Sequence, residues 1–113
     1  MTPITQQPHA LILINTFTVQ PEKQQALINL LNRATTEVMK HLPGFMSAYI
    51  HRSLDGTKVA NYAKWRSLED FQAMFNDPQA QEHMQEALKI CDSFEPLLYS
   101  LETCHEAEQN SCQ

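Results

Sequence analysis

The chain has 113 residues, a formal charge of −5 and a hydrophobic fraction of 42 %. These values predict one globular domain. The acidic charge argues against binding to nucleic acid or anionic lipid, both of which need basic patches, and the eight Lys and Arg residues are scattered without a cluster. No apolar run reaches the length of a membrane span, and the N-terminus lacks the basic and apolar regions of a signal peptide.

The cysteines indicate the cellular compartment, and the polar ends of the chain indicate the limits of the domain. The three cysteines are odd in number and form no CxxC pair, which favours a reduced cytoplasmic setting. We expect flexible tails at residues 1–9 and 107–113, with the domain itself at residues 10–106.

The first predicted strand is Leu11–Val19, which is rich in β-branched residues and is followed by Pro21. Alternation puts its odd-numbered residues, Leu11, Leu13, Asn15, Phe17 and Val19, on one face. Pro21 suits the first turn of a helix. That helix carries apolar residues at helical spacing and should end near His41–Leu42, since Pro43-Gly44 cannot continue it.

Two further strands form a predicted hairpin around Asp55-Gly56, a strong turn signal. In the first, Phe45–Arg52, strict alternation sets Phe45, Ser47, Tyr49 and His51 opposite Met46, Ala48, Ile50 and Arg52. In the second, Lys58–Arg66, one face carries Val59, Asn61, Ala63 and Trp65.

The C-terminal half holds two short helices and a strand. Ser67–Asp70 is a capping-box-like start, and that helix should stop near Asn76. Asp77-Pro78 begins the next helix, as a cap followed by a first-turn proline. Glu95-Pro96 should close the helical region, and Leu97–Cys104 is the predicted fourth strand.

The element order is therefore β-α-β-β-α-β with the second helix broken in two. This order predicts a ferredoxin-like α+β fold, in which a four-stranded antiparallel sheet carries its helices on one face. The other sheet face has too much apolar surface to remain in water. We expect it to pack against a second copy, which gives a homodimer.

The third strand supplies the candidate catalytic residues. Asn61 and Trp65 place an amide and an indole N–H on one sheet surface, and Phe71 and Phe75 recur one helical turn apart above it. That arrangement suits the wall of an apolar pocket with few hydrogen bonds. The alternative to a binding site is that Asn61 and Trp65 are core residues whose polar groups are hydrogen-bonded within the protein. The further candidates for substrate binding are Asn15, Phe17, Phe71, Met74, Phe75 and His83.

Signals for metal, nucleophile and nucleotide chemistry are missing from the sequence. The five histidines form no HxH or HExxH pattern, so we expect no metal site. There is no GxSxG motif, and two glycines are too few for a phosphate-binding loop. His83 borders an apolar helical stripe. It either points over the sheet toward Asn15 and Asn61 or lies partly exposed at the helix edge.

Three segments carry a resemblance to a known family: FTVQPEKQQALINLL, HLPGFMSAYIHRSLDGTKVANYAKWRSLEDFQAM and SFEPLLY. Together they resemble the antibiotic biosynthesis monooxygenase family over about residues 10–106. The resemblance implies a small α+β protein whose two sheets pair in a dimeric α/β barrel. Some members are cofactor-free monooxygenases of anthrones, naphthols or hydroquinones, in which the ionised substrate passes an electron to O2.

The resemblance also assigns residues. Asn61 and Trp65 match the asparagine and tryptophan of those monooxygenases, whereas Phe71 stands where their pattern has a tyrosine. The leading hypothesis is a cofactor-independent monooxygenase that oxidises a small aromatic quinol or anthrone-type substrate with O2.

Two alternatives stay open. Other relatives degrade haem, and Asn15 and His83 match two of their three key positions, while Met74 replaces their tryptophan. This chain would then bind or degrade haem through His83. The second alternative is a dimer that binds a small molecule without catalysis.

Overall fold

The computed structural model describes residues 10–108, so the predicted tail at 1–9 and positions 109–113 of the other tail lie outside the described residues. Short 3-10 turns at Pro21–Lys23 and Met39–His41 flank the first helix. The strands are β1 (Leu11–Thr18), β2 (Phe45–Arg52), β3 (Lys58–Trp65) and β4 (Ser93–Tyr99), and the helices are α1 (Gln24–Glu37), α2 (Leu68–Met74) and α3 (Pro78–Ile90).

The four strands form one antiparallel sheet in the order β2-β3-β1-β4. Side chains of α1 and α3 pack on the same sheet face, where Leu27, Leu30 and Ala87 join Phe17 and Val59 in one buried cluster. The helices cover that face because their apolar stripes need a partner surface. The predicted ferredoxin-like α+β fold is confirmed.

A second buried cluster occupies the other end of the same sheet face. Its members come from the sheet and from α2, with Ala80 of α3 and Val38 beyond α1: Leu13, Val38, Ala63, Trp65, Phe71, Met74 and Ala80. Leu13 pairs with Ala63, and Phe17 pairs with Val59. The one β1–β3 pair between them on this face is Asn15 with Asn61. The polar pair therefore separates two apolar clusters.

A β-bulge in β2 makes one predicted face assignment wrong. Phe45 pairs with Trp65, but the register shifts before Ser47, so that Ala48 pairs with Ala63. An extra residue in one strand reverses the alternation on one side of the bulge. Phe45 therefore lies on the helix-covered face with Ala48, where strict alternation had separated them.

The fourth strand begins earlier than its sequence predicts. It runs from Ser93 through Pro96 to Tyr99, and Pro96 pairs with Asn15. Because β4 is an edge strand, a proline without an N–H is tolerated there. The earlier start places Phe94 opposite Phe17, with the two rings stacked at a centroid distance of 6.3 Å.

The predicted break between α2 and α3 is confirmed and has clear local causes. The Ser67 hydroxyl accepts a hydrogen bond from the Asp70 N–H at 3.1 Å, which caps α2. The Asp77 carboxylate accepts one from the Ala80 N–H at 3.0 Å, which caps α3. The corner between the helices therefore falls at Phe75.

Candidate active site

A cavity of about 250 Å³ lies between the helices and the covered face of the sheet. Three polar side chains contribute to its lining: Asn15, Asn61 and His83. The rest of the lining is apolar and consists of Leu13, Phe17, Leu30, Leu31, Ala34, Met39, Met74, Phe75, Met84, Ala87, Leu88 and Phe94. A concave apolar site with a few converging polar groups is the usual form of a small-molecule site.

Asn15 and Asn61 form the polar part of the sheet side of the cavity. They are direct partners across β1 and β3, so their side chains stand next to each other. Each amide oxygen Oδ1 is buried, and neither has a hydrogen-bond partner within the described part of the chain. An unpaired buried acceptor costs about 1–3 kcal/mol, so two neighbouring ones call for a functional explanation.

His83 faces these asparagines from α3. The fully buried Ala80 precedes it by three residues, and the buried Ala87 follows by four, which puts all three on the sheet side of the helix. Its Nδ1 is buried and, among residues 10–108, has no hydrogen-bond partner. Of the two orientations open from the sequence, the structure shows the imidazole at the cavity.

Trp65 does not line the main cavity. Its side chain is 2 % exposed and is held edge-to-face by Phe45 at 5.5 Å and Phe71 at 6.0 Å between ring centroids. It lines an adjoining cavity of about 50 Å³, whose wall also includes Asn61 and Met74. Asn61 therefore lines both cavities, whereas Trp65 lines the smaller cavity and not the main one.

The two phenylalanines above the sheet differ in position. Phe71 is a core residue at 8 % exposure, packed between Trp65 and Phe75, and it lines neither of the two cavities described. Phe75 lines the main cavity and is 42 % exposed, which places it at the mouth. Phe17 and Met74 also line the main cavity.

Several lining residues were not predicted as site residues. In the sequence, Leu30, Leu31 and Ala34 of α1 form part of an ordinary apolar stripe. Helical spacing does not show whether such a residue is packed against others or lines a cavity. Phe94 was missed because β4 was predicted to begin after it. The sequence signal that could have placed Phe94 in a strand is the Phe-Glu-Pro segment, because a proline within a strand indicates an edge strand.

The electrostatic character of the cavity is simple. Of the described residues that line it, His83 is the single titratable one. No group of His, Cys, Asp or Glu residues within 10–108 could hold a metal ion.

Within residues 10–108, no helix is both long enough and apolar enough to cross a membrane.

Comparison with known proteins identifies the family. The family model for antibiotic biosynthesis monooxygenase matches residues 10–86. The tetracenomycin-F1 monooxygenase of Streptomyces glaucescens is 47 % identical over 83 residues, which are 74 % of this chain and 74 % of that protein. These matches confirm the resemblance read from the sequence.

Solved structures agree with the sequence matches. The ActVA-Orf6 monooxygenase of Streptomyces coelicolor, solved with nanaomycin D, matches with a TM-score of 0.82 at 25 % identity, over 95 % of this chain and 100 % of that one. SnoaB, a cofactor-independent oxygenase from Streptomyces nogalater, matches with a TM-score of 0.67 at 18 % identity, over 88 % and 98 %. The chain belongs to the antibiotic biosynthesis monooxygenase family.

Proposed function

We propose that this protein is a cofactor-independent monooxygenase that oxidises a small aromatic substrate of the quinol or anthrone type with O2. The observation that carries the proposal is an apolar cavity whose polar lining, among residues 10–108, consists of Asn15, Asn61 and His83, each with a buried polar atom that has no hydrogen-bond partner there. The kinship with the tetracenomycin-F1 monooxygenase supports the same reaction class.

The unpaired atoms define the ligand that would satisfy them. Amide oxygens are acceptors, and an imidazole nitrogen without a proton is another. A ligand with hydroxyl groups along one edge would donate to them and recover the cost of their burial. The apolar walls, with Met74 and Met84 as adaptable side chains, suit the flat body of an aromatic ring system.

The size of the cavity limits the ligand. A cavity of roughly 150 Å³ holds a benzene ring, so about 250 Å³ leaves room for more than one ring. Phe75 and Leu88 at the mouth are 42 % and 50 % exposed. A longer ring system would extend past them toward solvent.

This reaction requires the protein to bind the substrate and to stabilise the negative charge on the substrate oxygen. The ionised substrate gives one electron to O2, and the resulting pair combines to form a C–O bond. Each carboxamide would use both of its groups: Oδ1 of Asn15 and Asn61 would accept from substrate hydroxyls, and their N–H groups would donate to the substrate oxyanion. The apolar walls would strengthen these hydrogen bonds by excluding water. We assign Trp65 a supporting role behind Asn61, from the adjoining cavity.

Haem fits this site poorly. The volume of about 250 Å³ is below the range of about 300–1,000 Å³ typical of pockets for drug-sized ligands, and haem is larger than most of these. Met74 also stands where the haem-degrading pattern has a tryptophan. We therefore derive no step through haem.

A homodimer through the uncovered sheet face is part of the proposal. Apolar and aromatic side chains of that face are solvent-exposed in the single chain, among them Tyr49 at 51 %, Leu97 at 51 % and Tyr99 at 44 %. Exposed apolar surface of this kind is typical of an interface. Packing two such faces together would bury it as in a sandwich of sheets.

Oxygen uptake tests the proposed activity. Purified protein would be mixed with anthrones, naphthols and hydroquinones in the presence of a metal chelator. The wild type and an Asn32→Ala control, altered on the exposed side of α1, should consume O2 faster than autoxidation. The Asn61→Ala/Trp65→Ala variant should not. Uptake at the autoxidation rate by all three proteins would leave non-catalytic binding as the function.

A further inference from the structure

We propose that His83 is the catalytic base of this cavity, accepting the substrate's proton on its imidazole and returning it later in the reaction. The inference rests on the proposed function and assigns the proton-transfer step that the binding residues leave open. Nδ1 of His83 is buried without a hydrogen-bond partner in the described chain, and it shares the cavity with the Asn15 and Asn61 amides.

The surroundings of His83 leave no competing base. The lining contributed by β1, β3, β4, α1 and α2 consists of apolar side chains and two carboxamides, so within the described lining no carboxylate, phenol or amine is present. On its own helix the neighbouring acids are Glu82 and Glu86, both exposed. Phe71 has no hydroxyl and is buried behind Trp65.

The position of the imidazole follows from the small residues around it on α3. Ala80 is fully buried and Ala87 is 5 % exposed, so this face of the helix approaches the sheet closely. The larger imidazole between them then reaches into the cavity, where the asparagine pair stands on the opposite wall. A side chain that can accept a proton and two carboxamides that can donate to an oxyanion thus line the same cavity.

The proton and electron balance can be written for an anthrone-type methylene group. The imidazole of His83 takes the first C–H proton, and the enolate oxygen is held by the asparagines. O2 accepts an electron and the radical pair forms a C–O bond as a peroxide anion, to which His83 returns its proton. His83 then takes the second C–H proton as C=O forms and the O–O bond breaks. The departing hydroxide receives that proton as water. In sum, CH2 plus O2 gives C=O plus H2O.

The test measures kcat and KM separately as a function of pH. The probe is 1,8-dihydroxyanthrone, and the proteins are wild type, His83→Gln and His41→Gln, an exposed control histidine. Near neutral pH we expect His83→Gln to lower kcat by about 100-fold or more, with KM changed by less than about threefold. The ratio of wild-type to variant kcat should shrink at alkaline pH, where hydroxide ionises the probe without the imidazole.

A second variant separates a chemical role from a structural one. Added imidazole should restore part of the activity of His83→Ala, because a free base can replace the missing side chain in the cavity. The proposal is overturned if His83→Gln keeps wild-type kcat, or if its kcat falls equally at every pH and imidazole restores nothing. A wild type that does not exceed autoxidation would instead refute the proposed function itself.

Discussion

Asn15 and Asn61 stand directly opposite each other on β1 and β3. Both side chains line one cavity, and both amide oxygens are buried without a partner among residues 10–108. The pairs on either side of them, Leu13 with Ala63 and Phe17 with Val59, belong to two apolar clusters. A sheet selected for stability alone would continue the apolar pattern here. The polar pair is therefore best explained by a ligand that contacts it.

Replacing these asparagines by leucine should separate stability from activity. Asn61→Leu and Asn15→Leu each remove an unpaired buried acceptor and keep a similar side-chain volume. We expect each to raise the free energy of unfolding by about 1–2 kcal/mol and to lower kcat/KM by about 10²-fold or more. Denaturant unfolding and oxygen-uptake kinetics measure the two effects. Asn32→Leu, on the exposed side of α1, should change neither. A loss of stability in both cavity variants would contradict this account.

The backbone at Gly44 should tolerate no side chain. Gly44 has a φ of +85°, and a Cβ there would collide with the side chain of Asp70, which itself pairs with Arg66 at 2.8 Å. Gly56 has a similar φ of +83°, but a Cβ would meet only Pro21, at 3.4 Å. Gly56→Ala should cost about 1–2 kcal/mol from the backbone alone.

Gly44→Ala adds the collision to the same backbone cost, so thermal unfolding should show a loss about 1–3 kcal/mol larger than that of Gly56→Ala. Equal losses for the two variants would mean that the collision is relieved without cost.

Asp55 should make the hairpin turn sensitive to acid. Its carboxylate accepts hydrogen bonds from the Thr57 N–H at 3.0 Å, the Thr57 hydroxyl at 2.7 Å and the Ser53 hydroxyl at 2.8 Å. These bonds, with the Thr57 N–H first, lower its pKa from 3.8 to about 2. Because the pKa is lower in the folded state, the stabilisation is present above about pH 4 and is lost as the pH falls toward 2.

Denaturant unfolding of wild type and Asp55→Asn measures this effect. The wild type should be the more stable at pH 7, and the difference should disappear between about pH 4 and about pH 2. A difference in stability that persists unchanged at about pH 2 would rule out the carboxylate as its source.

The uncovered sheet face should hold two copies together. Leu97 on β4 is 51 % exposed and pairs with Ile14 of β1 on that face. Leu97→Lys would place a charge within an apolar interface, and we expect light scattering to report a monomer where the wild type is a dimer. Leu54→Lys is the matched control, since Leu54 is fully exposed in the hairpin turn. A wild type that is monomeric at micromolar concentration would show that this sheet face is not a dimer interface.

Much of the fold can be predicted from the sequence because its signals are local. Ser67 and Asp77 cap their helices as expected, and the proline-glycine pair after Leu42 ends the first helical region. The alternation in β1 and β3 also puts Asn15 and Asn61 on one face. The bulge after Phe45 and the edge position that admits Pro96 depend on strand pairing, which no local pattern reveals.

The candidate site is only partly predictable for a related reason. A polar residue on an apolar face can be recognised in the sequence, as with Asn61 and His83. Whether it meets a partner or a cavity depends on how the helices pack. Trp65 illustrates the difference, because its indole is enclosed by Phe45 and Phe71 and lies beside the smaller cavity. Trp65 shares the covered sheet face with Asn61, as alternation predicts, and the packing of Phe45 and Phe71 decides which cavity it lines.

The most direct test of the central claim is the absorption spectrum of 1,8-dihydroxyanthrone mixed with the protein without O2, with metals removed by a chelator. If the cavity binds the substrate as its oxyanion through Asn15, Asn61 and His83, the enolate band should develop at a pH where the free probe is un-ionised. Admitting O2 should then remove the band. The Asn15→Leu/Asn61→Leu variant should show no such band. A spectrum of the wild-type mixture equal to that of the free probe would contradict the account.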